Sequence, residues 1–369
     1  MKAPTQVKLG EISAYVNRGF SPSYVETDGV SILNQKCVRN GRIDFTLARL
    51  SSHKKTIPAD KYLLPGDILI NSTGVGTAGR VAFFDSSFKV SVDSHVTIVR
   101  INKKIADPKY VFYCLFGMEA DIETFAEGST GQIELSRDRV KDIDFQLPKL
   151  DEQRAIAAVL SSLDDKIYLL HRQNKTLLSI GQAVLKKNTT AGAPNVGWCT
   201  KKLGDLADVS WGDTNTTKKS YTSDGYDTFS ASGLDGRMDH YDYDQPGIIL
   251  SAIGANCGDT WLAFGKWSCI KNTIRILSKS EQVGIEYLYL YTHGKEFWPK
   301  RGSAQPFISQ TDARACSVVV PDENTLNEFS NIAKPLFQKI DKNTKRIKLL
   351  AQVRDSLLPK LVSGEVGVI

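Results

Sequence analysis

Gly74-Val75-Gly76-Thr77-Ala78-Gly79 fits the G-x-G-x-x-G pattern of loops that cradle phosphates. That chemistry needs a helix N-terminus directly after the glycines to meet the pyrophosphate. The next residues, Arg80-Val81-Ala82-Phe83-Phe84, are an apolar run of strand type, so the stretch reads as a glycine-rich hairpin. There is no G-x-x-x-x-G-K-[ST] and no G-x-S-x-G. No Pro-Pro pair occurs, which excludes the Asn/Asp-Pro-Pro-aromatic loop with which amino-methyltransferases hold a flipped base. The 6 Cys and 5 His are scattered, without C-x-x-C or H-E-x-x-H, so no zinc site is expected. Asp164-Asp165 is expected on a solvated helix shoulder. No catalytic residue, metal or cofactor is assigned to this chain.

Basic and polar clusters between strand-like runs are the remaining chemistry. The first half carries Lys36, Arg39 and Arg42, then His53-Lys54-Lys55. The second carries Lys218-Lys219 and Lys300-Arg301, the latter just before Gln305. Lys and Arg serve phosphates, while Arg and Gln can also read base edges. These eleven residues are the candidate DNA contacts. Each cluster alone fits a solvated loop better than a contact; two copies facing a polymer with its own dyad favour the contact.

The elements that must position them come in two copies. Lys8-Leu9-Gly10-Glu11-Ile12 returns as Lys202-Leu203-Gly204-Asp205-Leu206, and Pro65-Gly66-Asp67-Ile68-Leu69 as Pro246-Gly247-Ile248-Ile249-Leu250. The segment beginning at Gln132 matches that beginning at Gln305, an offset of 173 that Pro148 and Pro321 share. An ordered series of this kind marks a tandem duplication. In each copy a β-rich part precedes a long helix, expected over 151–187 and 325–358 with a linker at 188–194.

In the first helix Ile156, Leu160, Leu163, Ile167, Leu170, Asn174 and Leu177 step by four and three, a heptad seam. Leu336, Ile340, Asn343, Ile347, Leu350 and Leu357 repeat it in the second. Antiparallel pairing would set Asn174 against Asn343 and fix the register, the alternative being an Asn tolerated at a wet point of the seam. Thr325 and Glu328 offer a capping box, and Pro335 is expected to kink the second helix or to begin its regular part. Leu169, Leu178, Ile180, Leu349 and Val353 lie off the seam and are candidates for docking a partner, unless they pack on the β-rich domains.

The expected fold class is thus α+β. Two globular β-rich domains (1–148 and 191–320) alternate with two long antiparallel coiled-coil helices (149–190, and 321–369 with a C-terminal tail), related by pseudo-two-fold symmetry. With 369 residues, 41% hydrophobic and 24% charged, the chain is long enough for such cores. Its apolar runs are too short to cross a bilayer and its first residues lack the apolar stretch of a secretory signal, so a cytoplasmic protein is expected. A net charge of +6 permits a polyanionic partner without demanding one.

In this organisation the chain resembles the specificity (S) subunits of type I restriction-modification systems. The strongest likeness lies in Leu147-Pro148-Lys149-Leu150-Asp151-Glu152-Gln153-Arg154-Ala155-Ile156 and in the closing Leu357-Leu358-Pro359-Lys360-Leu361-Val362-Ser363-Gly364-Glu365. Gly302-Ser303-Ala304-Gln305-Pro306-Phe307-Ile308-Ser309 is similar as well, whereas Thr325-Leu326-Asn327 departs from Glu152-Gln153-Arg154 of the first copy. The resemblance implies two target recognition domains, each reading one half of a split, asymmetric site in double-stranded DNA. It also implies helices that act as a ruler and dock two modification (methyltransferase) subunits, which use S-adenosylmethionine, and a restriction subunit able to join. The S subunit itself is then non-catalytic. The alternative from the residues alone is a protein–protein adaptor with two β-rich domains on a coiled-coil spacer.

Overall fold

The computed structural model describes residues 5–128, 133–190, 197–213, 215–302 and 304–368, the side chains of 188–190 excepted. Gln132 of the repeat, residues 191–194 of the expected linker and Ser303 lie outside the described residues. Two compact units emerge: one runs to Ile167 and resumes at Lys348, the other spans Tyr168–Ile347. Each therefore owns part of both long helices.

In the first unit, a four-stranded antiparallel sheet has the order Ser13–Arg18, Val96–Ile101, Asp67–Asn71, Val81–Phe84. Asp67–Asn71 is buried at every position, as a strand covered on both faces must be. Its one carboxylate survives burial because Arg100 reaches both Asp67 oxygens at 2.8 Å. The second unit repeats this sheet with Ala207–Trp211, Thr273–Ser278, Gly247–Ser251 and Thr260–Ala263. Each unit also has a second sheet, four-stranded in the first and three-stranded in the second, and a two-stranded ribbon, Thr5–Lys8 with Asp144–Leu147 and Cys199–Lys202 with Ser317–Val320. The expected α+β duplication with two long helices is what the chain builds.

The repeated K-L-G-[ED]-[IL] segment has a physical explanation. It is a single helical turn whose third residue caps its own start, Glu11 accepting from the Lys8 amide at 2.9 Å and Asp205 from the Lys202 amide at 3.3 Å. Leu9 and Leu203 are fully buried. A Cβ on Gly10 would stand 3.0 Å from the Lys141 side chain, and one on Gly204 3.2 Å from that of Arg314, so both positions admit only glycine without displacement. The G-x-G-x-x-G stretch is a hairpin turn, joining Asp67–Asn71 to Val81–Phe84, with φ positive at Gly74, Gly76 and Gly79.

The long helices run Leu150–Thr190 and Glu323–Val362. Three expectations are corrected here. Residues 188–190 continue the first helix rather than starting the linker. The second helix is capped by Asp322, whose carboxylate accepts from the Thr325 amide at 3.0 Å, so Thr325 is capped rather than capping. Pro335 does not begin the regular part of the helix, which starts at Glu323 and continues through it, so of its two expected effects only the kink is compatible with this helix.

Within the first unit, Ile156 and Leu160 share a core with Leu358 and Leu361, while Asp164 meets Arg354, so the segments run antiparallel. Within the second, Asn343 Nδ2 donates to Asn174 Oδ1 at 2.8 Å and to Gln173 Oε1 at 2.9 Å. Ile340 and Leu170 are buried, and Leu163, Ile167, Leu177, Ile347 and Leu350 are half-buried. Leu336 and Leu357 are only half-buried because the deeper places belong to Phe337 and Leu358. The early second helix buries Leu326, Phe329, Ala333 and Phe337 against its own β-rich domain; the first three continue the steps of the seam, and Phe337 stands one residue off it.

Replacing Asn343 with Leu removes the donor that Asn174 and Gln173 share, and should lower stability by about 1–3 kcal/mol. The double variant Asn174→Leu, Asn343→Leu should regain most of that loss, because an apolar pair needs no donor. Urea unfolding of the four proteins checks this; strictly additive midpoints would show that the amides do not act as a pair.

Candidate nucleic-acid interface

In each unit the glycine hairpin turn meets a second loop from further along the chain. Thr73 bridges to Glu134, which also pairs with Glu127; Ile253 bridges to Phe307, which pairs with Arg301. The two loop pairs occupy equivalent places in the duplication but carry different side chains. Lys300, Arg301 and Gln305 are exposed beside the second pair. Arg301 lies 2.5 Å from Asp312, whose carboxyl is held below the usual carboxylate range by the Ser309 hydroxyl and by Arg301 itself. Ser309 in turn caps the short helix Gln310–Ala315 by accepting from the Asp312 amide. The guanidinium is thus aimed from a fixed base while 62% of its side chain stays open to solvent.

Beside the first loop pair the structure gathers basic side chains that sequence spacing does not reveal. Arg18 binds Glu134 and the Leu135 carbonyl, both at 2.9 Å, and Arg137 donates to Asn17 at 3.1 Å. Arg80 holds the Gly76 carbonyl at 2.7 Å, and His95 Nδ1 lies 2.8 Å from the Thr73 hydroxyl. These residues stand singly in the sequence, and only strand pairing brings them to one edge.

Lys218 and Lys219 line a groove of about 550 Å³ with Ser230, Ser232, Lys271 and Asn272. Lys218 is ion-paired with Asp235, which also accepts from Tyr221 at 2.8 Å and Ser230 at 2.5 Å. Burial alone would raise Asp235, but these partners outweigh it and keep the carboxyl below its ordinary value. Lys219 is exposed. Lys36 and Arg39 are exposed on the short hairpin Val38–Arg39/Arg42–Ile43, and His53, Lys54 and Lys55 form the turn after strand Arg49–Ser52.

Arg42 turns the other way. It donates to the Asp164 carbonyl at 2.8 Å and lies 3.6 Å from Asp165, so it binds the long helix rather than facing outward with Lys36 and Arg39. Asp164 is correspondingly no solvated shoulder. Arg354 reaches it at 2.6 Å and Tyr113 donates to it at 2.9 Å, with about one sixth of the Asp164 and Arg354 side chains exposed. Asp165, 72% exposed, does sit in solvent. Of the five docking candidates, Leu169, Ile180, Leu349 and Val353 are exposed, but Leu178 packs against the core of the second unit.

Among the described residues no group of three or more His, Cys, Asp or Glu is placed to hold a metal, and no helix is long and apolar enough to cross a membrane.

Residues 5–179 and 195–352 match the family model of the type I restriction modification DNA specificity domain. The type I restriction enzyme MjaIX specificity subunit of Methanocaldococcus jannaschii is 26% identical over 301 residues, covering 70% of this chain and 69% of that protein. The putative MjaX specificity subunit of the same organism is 21% identical over 376 residues, covering 92% and 88%. A crystal structure of the type I restriction-modification S subunit from M. genitalium shares the fold, with a TM-score of 0.58, 16% identity and coverage of 97% and 96%.

The Asp164 cluster yields a direct test. Arg354→Met strips a mostly buried carboxylate of its counter-ion and should cost roughly 3 kcal/mol, the low end for buried pairs. Adding Asp164→Leu should recover most of it. A calorimetric or urea series in which Arg354→Met leaves stability unchanged would remove the pair from the structural account.

Proposed function

This chain belongs to the type I restriction-modification DNA specificity family, and from that premise we propose how it acts as a specificity subunit: each β-rich domain reads one half of a split, asymmetric double-stranded site. The observation that carries the reading is the duplication itself. One scaffold occurs twice, with the same sheet order and the same capped turn, yet Glu127 and Glu134 stand in the first loop pair where Arg301 and Phe307 stand in the second. Two heads on one scaffold with different loops suit two different half-sites. Half-sites read from the same face of B-form DNA lie about one helical turn, roughly 34–36 Å, apart.

The long helices serve as the spacer and as the docking surface for two modification subunits. Leu169, Ile180, Leu349 and Val353 are the apolar side chains offered, exposed on faces that a fully solvated helix would make polar. The partner subunits carry the chemistry, binding S-adenosylmethionine and transferring its methyl group, and a restriction subunit can join the assembly. The chain itself contributes recognition and no catalytic step, in keeping with the absence of nucleotide, hydrolase and methyltransferase motifs from its sequence. Such a complex works on cytoplasmic DNA.

The Lys300 and Arg301 side chains are set to meet phosphate, with Gln305 beside them able to reach a base edge. The test is co-purification with candidate methyltransferase subunits, then selection of duplexes from a random pool at moderate salt. A split motif with a fixed gap is expected. Binding to a protein partner with no enriched sequence, insensitive to salt, would replace this reading with the adaptor. On the selected duplex, Lys300→Gln with Arg301→Gln should weaken binding and lower the slope of log K against log salt by about one to two. An unchanged slope would exclude both as phosphate contacts.

A further inference from the structure

The positive charge of this protein is not where its candidate reading loops are. Residues 168–187 of the first long helix contain Arg172, Lys175, Lys186 and Lys187 and no Asp or Glu. Residues 329–347 of the second contain Lys334, Lys339, Lys342, Lys345 and Arg346 against the single acid Asp341. These stretches hold nine of the 47 Lys and Arg but one of the 41 Asp and Glu, so they carry a net +8 and the rest of the chain is net −2. All nine cations are exposed. Asp341 is occupied by Lys345 at 2.7 Å.

Both stretches belong to the second unit, where Asn174 and Asn343 join them. At about 100° per residue, Lys334, Lys342 and Lys345 fall away from Ile340 and Ile347, with Lys339 and Arg346 on the flank. A helix face that is merely solvated mixes the two signs. The corresponding helical segments of the first unit, residues 150–167 and 348–362, do so, with five acidic and five basic residues, whereas the second unit's share of the two helices, 168–187 and 323–347, has nine basic residues against Glu323, Glu328 and Asp341. The five cations between Lys334 and Arg346 lie within about 18 Å along the helix axis. Duplex DNA presents one charge per ~1.7 Å, so such a row has phosphates to meet at every point. The row is mostly Lys, a flexible point charge suited to backbone rather than base edges.

We infer that the outer faces of these two helical stretches form a sequence-independent phosphate surface, which grips duplex DNA beside the half-site read by the second unit. The inference rests on the proposed function, since it takes duplex DNA as the polyanion. It assigns a DNA contact to the helices rather than to the loops. Affinity and specificity then come from different parts of the unit, counter-ion release from the helices and discrimination from the loops.

The test uses the full chain in complex with its partner subunits and two 30-base-pair probes, the selected target and a random duplex. The variant carries Lys334→Gln, Lys339→Gln, Lys342→Gln and Arg346→Gln, keeping helix-forming residues and sparing the Lys345–Asp341 pair. A second variant carries Arg172→Gln and Lys175→Gln. Each should reduce the salt slope on both probes alike, by up to about one per residue replaced, while the motif selected from a random pool stays the same. Unchanged slopes in both variants overturn the inference. So does loss of the partner subunits with DNA slopes unchanged, which would assign the face to an acidic protein surface. If the unmodified complex itself enriches no split motif, the specificity reading fails instead, a result separate from either.

Discussion

A single pair of side-chain amides governs how the long helices meet in the second unit. Apolar seams attract one another in many alignments, because a heptad of Leu and Ile is nearly periodic and a shift by one repeat costs little burial. Asn174 and Asn343 remove that freedom: in any other register one amide would face hydrocarbon without its partner, a loss of about 1–3 kcal/mol on each side. The distance from any residue of one helix to its neighbour on the other is then set, and with it where the Lys and Arg of that arm stand. Stability is given up for alignment, as polar seam residues do elsewhere.

The duplication keeps positions and exchanges chemistry. Tyr110 donates to the Gln146 carbonyl at 2.8 Å and Tyr287 to the Val319 carbonyl at 2.6 Å, the same tie between helix and ribbon in both copies. At the helix start the copies diverge. Gln153 is buried and accepts from the Asp107 amide at 2.8 Å, whereas its counterpart Leu326 is buried in an apolar core. Asp164, held by Arg354 and Tyr113, corresponds to Phe337, which packs edge-on against Tyr289 with ring centres 6.0 Å apart. A satisfied polar contact and an apolar one fill the same place, so the scaffold tolerates either provided nothing buried is left unpaired.

The helices, the duplication and the hairpin could be read from the chain because each is written in local spacing: steps of three and four, a returning K-L-G turn, glycines before a strand. The contacts that could not be read join residues far apart. Asp164 looks like one of two adjacent surface acids until Arg354, 190 positions later, is folded onto it. Leu178 looks like a free apolar residue until the second unit covers it. The seam was misplaced by one residue at Phe337 because there the helix answers to a β-rich domain rather than to another helix, and the heptad rule describes only the latter. Of the candidate interface loops, spacing found Lys300 and Arg301 as neighbours but not Arg18, Arg80 and Arg137, which only the folded chain gathers.

The second unit is an unbroken stretch of chain, residues 168–347, set inside a first unit whose two pieces flank it. Emergence from the ribosome therefore reverses the order of the two. The later unit has all the strands and helices of its core as soon as residue 347 is available. The earlier one must wait, with Asp164 lacking Arg354 and its core lacking Leu358 and Leu361, until residue 361 has been made. The half that begins first is completed last, and through that interval its unfinished face is the part of the nascent chain most in need of protection from aggregation.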